Sequence, residues 1–185
     1  WIVESDRRGR RQTAYRILVA NTPDALEAGE GTLWDSGRVV SDQTTHIPYR
    51  GRPLTSGQLC YWAVQIWDET GEATEQSEPA FWQMGLLHSE DWRAMWIGID
   101  ADPEPELGIH PGVHLRRAFE IERPVVRATL YTTAKGVYIP SLNGRRVGAA
   151  ELAPGCTDYD QRIQAQAYDV TERLRQGENV LGIAL

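Results

Sequence analysis

The chain has 185 residues, of which 41% are hydrophobic and 24% charged, and it carries a formal net charge of −7. That size allows one large or two small domains with packed cores. The acidic balance argues against nucleic acid, which is held by a basic surface that neutralises phosphates, and no apolar run approaches the roughly 20 residues that span a bilayer.

The first element is read at Thr13–Ala20, where Tyr15, Ile17 and Val19 alternate onto one face. Period-two alternation with β-branched and aromatic residues is what a half-buried strand requires. Thr22-Pro-Asp-Ala-Leu-Glu27 predicts a single helical turn, with Thr22 as N-cap and Pro23 at the first position. Short strands are expected at Leu33–Ser36 and Thr44–Tyr49, between Gly and Pro turns. A long strand is expected at Tyr61–Asp68. Trp62, Val64 and Ile66 take one face, and Tyr61, Ala63, Gln65 and Trp67 the other. Asp68–Gly71 reads as a turn and Ala80–Gly85 closes the set. Residues 1–86 are thus expected to form a small β-sandwich.

Residues 87–112 read as a linker. Ser89 is the expected cap of a brief helical start, Trp92 and Trp96 are expected to pack on a flanking domain, and the acidic, Pro-rich stretch from Asp100 cannot continue a ladder. A second sandwich is expected over 113–185. Its strands are Val113–Ile121, Val125–Thr133 and Gly136–Leu142. Asn143-Gly144 then makes a tight hairpin, because both turn positions need positive φ. Asp169–Leu174 predicts a helical turn and Val180–Leu185 a buried strand. Trp1 opens the chain, and Leu185 ends it, inside strand-like segments. The expectation is a piece cut from something longer, with an unpaired sheet edge prone to dimerisation or aggregation. No repeat appears at a fixed period.

Cys60 and Cys156 lie in different expected domains, so neither a disulfide framework nor a zinc site is indicated. Lys135 is the lone lysine, and Arg7, Arg8, Arg10 and Arg11 read as a solvated hairpin flank. His46, His88, His110 and His114 show no ligand spacing, and Pro111 and Gly112 forbid a helix between the last two. No Ser-His-Asp order, phosphate loop or dinucleotide fingerprint is present.

In order along the chain, Gln12–Ala20, Leu33-Trp-Asp-Ser-Gly37, Tyr61–Asp68, Ser77-Glu-Pro79, Asp91-Trp92 and Trp96-Ile-Gly98 resemble the amino-terminal domain, and the segment after it, of bacterial α-L-rhamnosidases of glycoside hydrolase family 78. Leu115–Phe119, Asn143–Gly148, Leu152–Gly155, Thr157-Asp-Tyr159 and Tyr168–Thr171 resemble the next domain of that family. The resemblance implies an all-β chain of two β-sandwich domains. The first is fibronectin-III-like, and the second is a galactose-binding-like, carbohydrate-binding jelly roll cut at its carboxyl end. Three positions depart from the family pattern. Cys156 stands where family members often have an aromatic, Gln76 stands where a Trp is common, and Pro140 interrupts a strand, implying an edge position or a bulge.

The resemblance further implies hydrolysis of terminal α-L-rhamnose with inversion, by two acids on a separate (α/α)6 barrel. An inverting pair needs carboxyls roughly 6.5–9.5 Å apart to admit water. That barrel lies outside these residues, so no catalytic residue is assigned here. Asp158 and Asp160, and the alternating Asp100, Asp102, Glu104 and Glu106, are ascribed to turn chemistry and solvation rather than to a catalytic pair. Sugar contact in the second domain is assigned to Asn143, Asp158, Tyr159, Asp160 and Arg162, which lie on loops and offer hydroxyl-fixing groups. Competing explanations are the turn for Asn143, packing for Tyr159 and a loop hydrogen bond for Asp158. The resemblance also implies that calcium could join the sugar; no other cofactor is expected. Trp62, Trp67 and Trp82 are assigned to core and Trp34 to exposure. The expected partners are the catalytic domain of the same polypeptide and rhamnose-containing glycosides. An autonomous carbohydrate-binding module and an adhesion or scaffold tandem remain alternatives, and the compartment is left open.

Overall fold

The structure, a computed structural model, describes residues 1–99 and 112–185. Residues 100–111 of the expected linker, with His110, Pro111 and the acidic stretch Asp100, Asp102, Glu104 and Glu106, lie outside the described residues. The chain divides into two compact units, Trp1–Ala94 and Met95–Leu185.

In the first unit β1 (Gln12–Ala20) pairs antiparallel with β4 (Leu59–Asp68), from Ala20 opposite Tyr61 to Gln12 opposite Asp68. β5 (Ala80–Gln83) lies on the other side of β4. The short β2 (Trp34–Asp35) and β3 (Val39–Val40) pair with β1. The alternation read in the sequence sorts into two cores. Tyr15, Ile17, Val19, Cys60 and Val64 pack with Trp62 and Ile66 on one face of the sheet. Leu18, Ala20 and Ala63 pack with Tyr61 on the other. That second face is covered by α1 (Pro23–Glu27), whose Leu26 is wholly buried. Thr22 caps it as expected, its hydroxyl accepting the Ala25 N–H. Gln76 donates its amide to the Leu26 carbonyl at 3.0 Å. That carbonyl already accepts the Gly29 N–H at 2.8 Å, so Gln76 fills its second lone pair and ties the helix end to the segment after β4.

Thr44–Tyr49 is not a strand. Pro48 has no N–H to give a ladder, and His46 sits at φ 54°, which breaks extended backbone. The segment still seals the sheet, with Ile47 and Tyr49 packed on the first core. Trp34 is half-buried against Tyr49, rings edge-on at 5.4 Å, rather than exposed. Ser89 does not cap the short 3-10 turn Ser89–Asp91. The Asp91 carboxylate does, accepting the His88 N–H at 3.2 Å and the Ser56 hydroxyl. The Ser56 oxygen in turn accepts the Leu87 N–H at 2.7 Å.

The second unit has two sheets. β6 (His114–Ile121), β11 (Gly177–Ala184), β8 (Ile139–Leu142) and β9 (Arg145–Arg146) form one, in that order. β7 (Thr129–Thr132) and β10 (Gln166–Asp169) form the other. Phe119, Leu142 and Leu181 of the first sheet meet Leu130 and Tyr168 of the second, with Val147 and Val170, in one core. The chain is therefore all-β apart from one short helix and two 3-10 turns, among the described residues. Asn143 (φ 52°) and Gly144 (φ 77°) make the two-residue hairpin between β8 and β9, as their pairing predicts. Pro140 is not at a bulge, but it lies at an edge position, because β9 pairs only with Ser141 and Leu142. Its register against β11 is unbroken, and on the other side β9 pairing ends as the Val147 N–H reaches the Pro140 carbonyl at 2.8 Å. The ring thus falls where no donor is needed. The helical turn expected over Asp169–Leu174 is the end of β10 and a 3-10 turn, Thr171–Arg173. Its Thr171 hydroxyl accepts the Ala128 N–H at 2.9 Å, and Asp169 accepts the Thr171 N–H at 2.9 Å.

Hydrogen bonding holds several carboxyls below their ordinary range: Asp35 through Arg16, Asp91 through Ser56, and Asp169 through Thr171. A depressed carboxyl stabilises the fold above its unfolded pKa, near 4, and that contribution is lost as pH falls through the folded value. Thermal melts are therefore expected to be flat near neutral pH and to drop below about pH 4. Asp35→Asn should show a shallower acid decline in the first unit; an unchanged decline would remove the Arg16 pair from this account.

Candidate functional site

The loop from Gly155 to Gln164 carries four of the five residues assigned to sugar contact. Asp158 organises it: its carbonyl accepts the N–H groups of Gln161 (3.0 Å) and Arg162 (2.8 Å). Its carboxylate accepts the Asp160 N–H at 3.1 Å, the Asx geometry that makes Asp a turn residue. Across the loop the Thr157 hydroxyl donates to the Arg162 carbonyl at 2.5 Å. The far end is tied to the residue that follows β7, where the Thr133 hydroxyl donates to the Gln164 carbonyl at 2.6 Å. Asp158, Asp160 and Arg162 are exposed. The Asp160 carboxylate and the Arg162 guanidinium make no hydrogen bond or ion pair among the described residues.

Tyr159 is half-buried, and its phenol oxygen accepts the Gly136 N–H at 2.9 Å. This bond docks the loop on the turn that carries Lys135. The Lys135 ammonium stands 5.8 Å from the centre of the Trp96 ring, within cation–π range, and Trp96 is 61% exposed. The result is an exposed indole, a cation and a tethered phenol joined through the turn at Lys135-Gly136, with the unpaired Asp160 and Arg162 groups on the loop that the phenol ties down. Trp96 and Lys135 were not among the residues assigned from the sequence. The available signal was the apolar run Met95-Trp-Ile97, whose three residues are all exposed.

Asn143 does not join this set. Its amide donates to the Arg173 carbonyl (2.9 Å) and to Asn179 Oδ1 (2.8 Å), and its side-chain oxygen accepts the Val180 N–H (2.9 Å). None of these bonds reaches the 157–162 loop. Cys156 is an exposed free thiol and offers no stacking face.

Tyr138 lies beneath this surface and is 2% exposed, its hydroxyl donating to Gln166 Oε1 at 2.8 Å. Burial first, and its neighbour Tyr168 second, push its phenol well above the usual tyrosine range, so it stays protonated and structural. Among the described residues no group of three or more His, Cys, Asp or Glu side chains could hold a metal ion. Calcium takes 6–8 oxygens, and Asp158 and Asp160 alone do not supply such a shell. Among the described residues, too, no helix is long and apolar enough to cross a membrane.

Two family profiles match the chain: "Rha78A-like, N-terminal immunoglobulin domain" over residues 1–88 and "Alpha-L-rhamnosidase N-terminal domain" over residues 123–185. Immunoglobulin and fibronectin-III domains share the sandwich architecture read from the sequence. An α-L-rhamnosidase of Formosa agariphila is 40% identical over 177 residues, which is 93% of this chain and 19% of that protein. One of Alteromonas sp. is 38% identical over 96% of this chain and 20% of its own length. Among solved structures, α-L-rhamnosidase from Dictyoglumus thermophilum has a TM-score of 0.90 at 29% identity, over 100% of this chain and 22% of that one. The Aspergillus terreus enzyme has a TM-score of 0.80 at 28% identity, over 98% of this chain and 20% of its own. The chain thus spans about a fifth of the length of the relatives it matches. Between them the two profiles leave only residues 89–122 unmatched, and the chain is built from the amino-terminal domains of the α-L-rhamnosidase family.

Proposed function

We propose that the chain is a non-catalytic, accessory part of a polypeptide that hydrolyses terminal α-L-rhamnose from glycosides with inversion. One observation carries the reading: both domains occur, in order, in α-L-rhamnosidases that continue for several times this length. In this reading the two paired acids are supplied by a barrel elsewhere in the same polypeptide, and the two sandwiches pack on it and shape the rim of its site. The 157–162 loop, with Asp158, Tyr159, Asp160 and Arg162, supplies hydroxyl-fixing groups to the glycoside. Trp96 supplies the apolar face that such a site requires. The free Asp160 and Arg162 groups support this role, because a preformed loop with unengaged charged groups loses little order on binding. Asn143 supports the hairpin instead.

The test has two arms. With p-nitrophenyl α-L-rhamnopyranoside, the chain alone is expected to release no nitrophenol, while the full reading frame that contains it does so and liberates the inverted anomer first by proton NMR. Hydrolysis by the chain alone would sink the accessory role, and an inert full-length product would sink the glycosidase reading. Isothermal titration of the chain with L-rhamnose, with and without calcium, addresses the loop. Weak binding is expected, reduced about tenfold in the Asp160→Ala, Arg162→Ala double variant by loss of two charge-assisted hydrogen bonds. Equal binding by the double variant would remove the loop from the site.

A further inference from the structure

The first unit contains a cavity of about 220 Å³ that no part of the reading above uses. Trp34, Tyr49, Trp62 and Trp82 form its wall, and Thr45 and His46 stand among its lining residues. The four aromatic residues are half-buried, whereas Thr45 and His46 are exposed and lie at the mouth. Tyr49 stands edge-on to both Trp34 (5.4 Å) and Trp82 (6.4 Å), so the wall is held by its own packing.

The polar groups around this wall fall into two sets. The Tyr49 hydroxyl is engaged with the carbonyls of Arg52 (2.8 Å) and Leu33 (3.2 Å), and the Trp82 N–H with Met84 sulfur (3.1 Å). The indole N–H groups of Trp34 and Trp62, the Thr45 hydroxyl and the His46 imidazole have no hydrogen-bond partner among the described residues. No buried side-chain nitrogen or oxygen is left unpartnered there, so the two indole N–H groups reach solvent-accessible space. His46 is also one of the few non-glycine residues at positive φ, 54°. Backbone held in that region costs free energy and concentrates where geometry serves a ligand.

This arrangement selects a chemistry. No Asp, Glu, Lys or Arg side chain lines the cavity, and the Trp1 amino group beside it is already donated to the Thr44 carbonyl at 3.2 Å, so an ion entering it would lose hydration with no charged side chain to replace it. A wholly apolar guest would strip water from the free N–H and hydroxyl groups and leave them unpaired. A neutral ring with an apolar face and hydroxyl edges meets both conditions. An enclosed cavity of about 150 Å³ accepts benzene; this one, about 220 Å³ and open to solvent on one side, has the volume of a six-membered ring bearing hydroxyls. We infer that the Trp34–Tyr49–Trp62–Trp82 cavity binds one neutral pyranose unit. The site is separate from the 157–162 loop and stands whether or not that loop binds sugar.

The test uses the 15N-labelled chain, whose indole N–H resonances are assigned with Trp34→Phe and Trp62→Phe. It is titrated with methyl α-L-rhamnopyranoside, methyl α-D-glucopyranoside and, as an apolar control, indole. At least one pyranoside is expected to shift the Trp34 and Trp62 signals saturably at millimolar concentration. The exposed-position variant Thr45→Val, His46→Gly should bind it about fivefold or more weakly, from loss of two hydrogen bonds. Asp158→Ala should leave these shifts unchanged, which keeps failure here distinct from failure of the loop. Shifts confined to Trp96, shifts produced by indole alone, an unaltered affinity in the mouth variant, or no shift with either sugar at about 50 mM would each overturn the inference.

Discussion

Asn179→Ala is expected to lower the stability of the second unit by about 3 kcal/mol, roughly a third or more of what a small domain possesses. Asn179 is wholly buried and polar. Its amide donates to the carbonyls of Arg175 (2.7 Å) and Gly177 (2.9 Å), and its oxygen accepts the Arg175 N–H (3.1 Å) and the Asn143 amide (2.8 Å). Alanine removes all four bonds and leaves backbone groups that water cannot easily reach. A shift of about 4–8 °C per kcal/mol applies to a domain of this size, so the melting temperature should fall by roughly 15 °C. Asn179→Asp keeps the shape but turns both donors into acceptors facing carbonyls, and should be no better tolerated. Asn143→Ala should be destabilising too. Because the two amides share a bond, the double variant should fall short of the sum of the single ones. A melt of Asn179→Ala within about 3 °C of the parent would show that the network contributes little.

Leu26→Ala is expected to cost the first unit about 3 kcal/mol, in the usual range for a buried leucine. The five-residue α1 is far too short to persist alone. It is held by Leu26 inserting against Leu18, Ala20 and Ala63, and by Gln76 on the Leu26 carbonyl. Without the side chain the second face of the sheet opens to water. Urea unfolding followed by the fluorescence of the first unit should show a lower midpoint with an unchanged slope. Gln76→Ala, which removes one hydrogen bond, should cost only about 1 kcal/mol. If Leu26→Ala and Gln76→Ala proved equally mild, the helix would be a passenger on the sheet.

The sugar-contact residues show where local reading reaches its limit. Asp158 and Tyr159 are loop residues as read, and the loop is ordered by the Asp turn that the sequence suggests. Asn143 is at its hairpin as predicted, but its amide serves partners 30 and 36 positions away. No window around Asn143 contains Arg173 or Asn179, so the pattern that predicts the turn is silent on the side chain. Trp34 is a similar case. A short strand bounded by glycines looks like an exposed edge, until Tyr49 folds its ring against it.

What the residues determine alone is the part governed by period and by backbone stereochemistry. The alternating faces of β1 and β4, the capped turn of α1 and the Asn143-Gly144 hairpin follow from which side chains share a face and which positions tolerate positive φ. The tertiary structure decided the rest. Pro48 and His46 leave Thr44–Tyr49 without a ladder while its side chains still pack. Asn179 is satisfied inside the core, and Trp96, Lys135 and Tyr159 reach one surface through the turn at Gly136. These outcomes depend on contacts between distant segments, which form only when apolar faces bury and polar groups must find partners out of water.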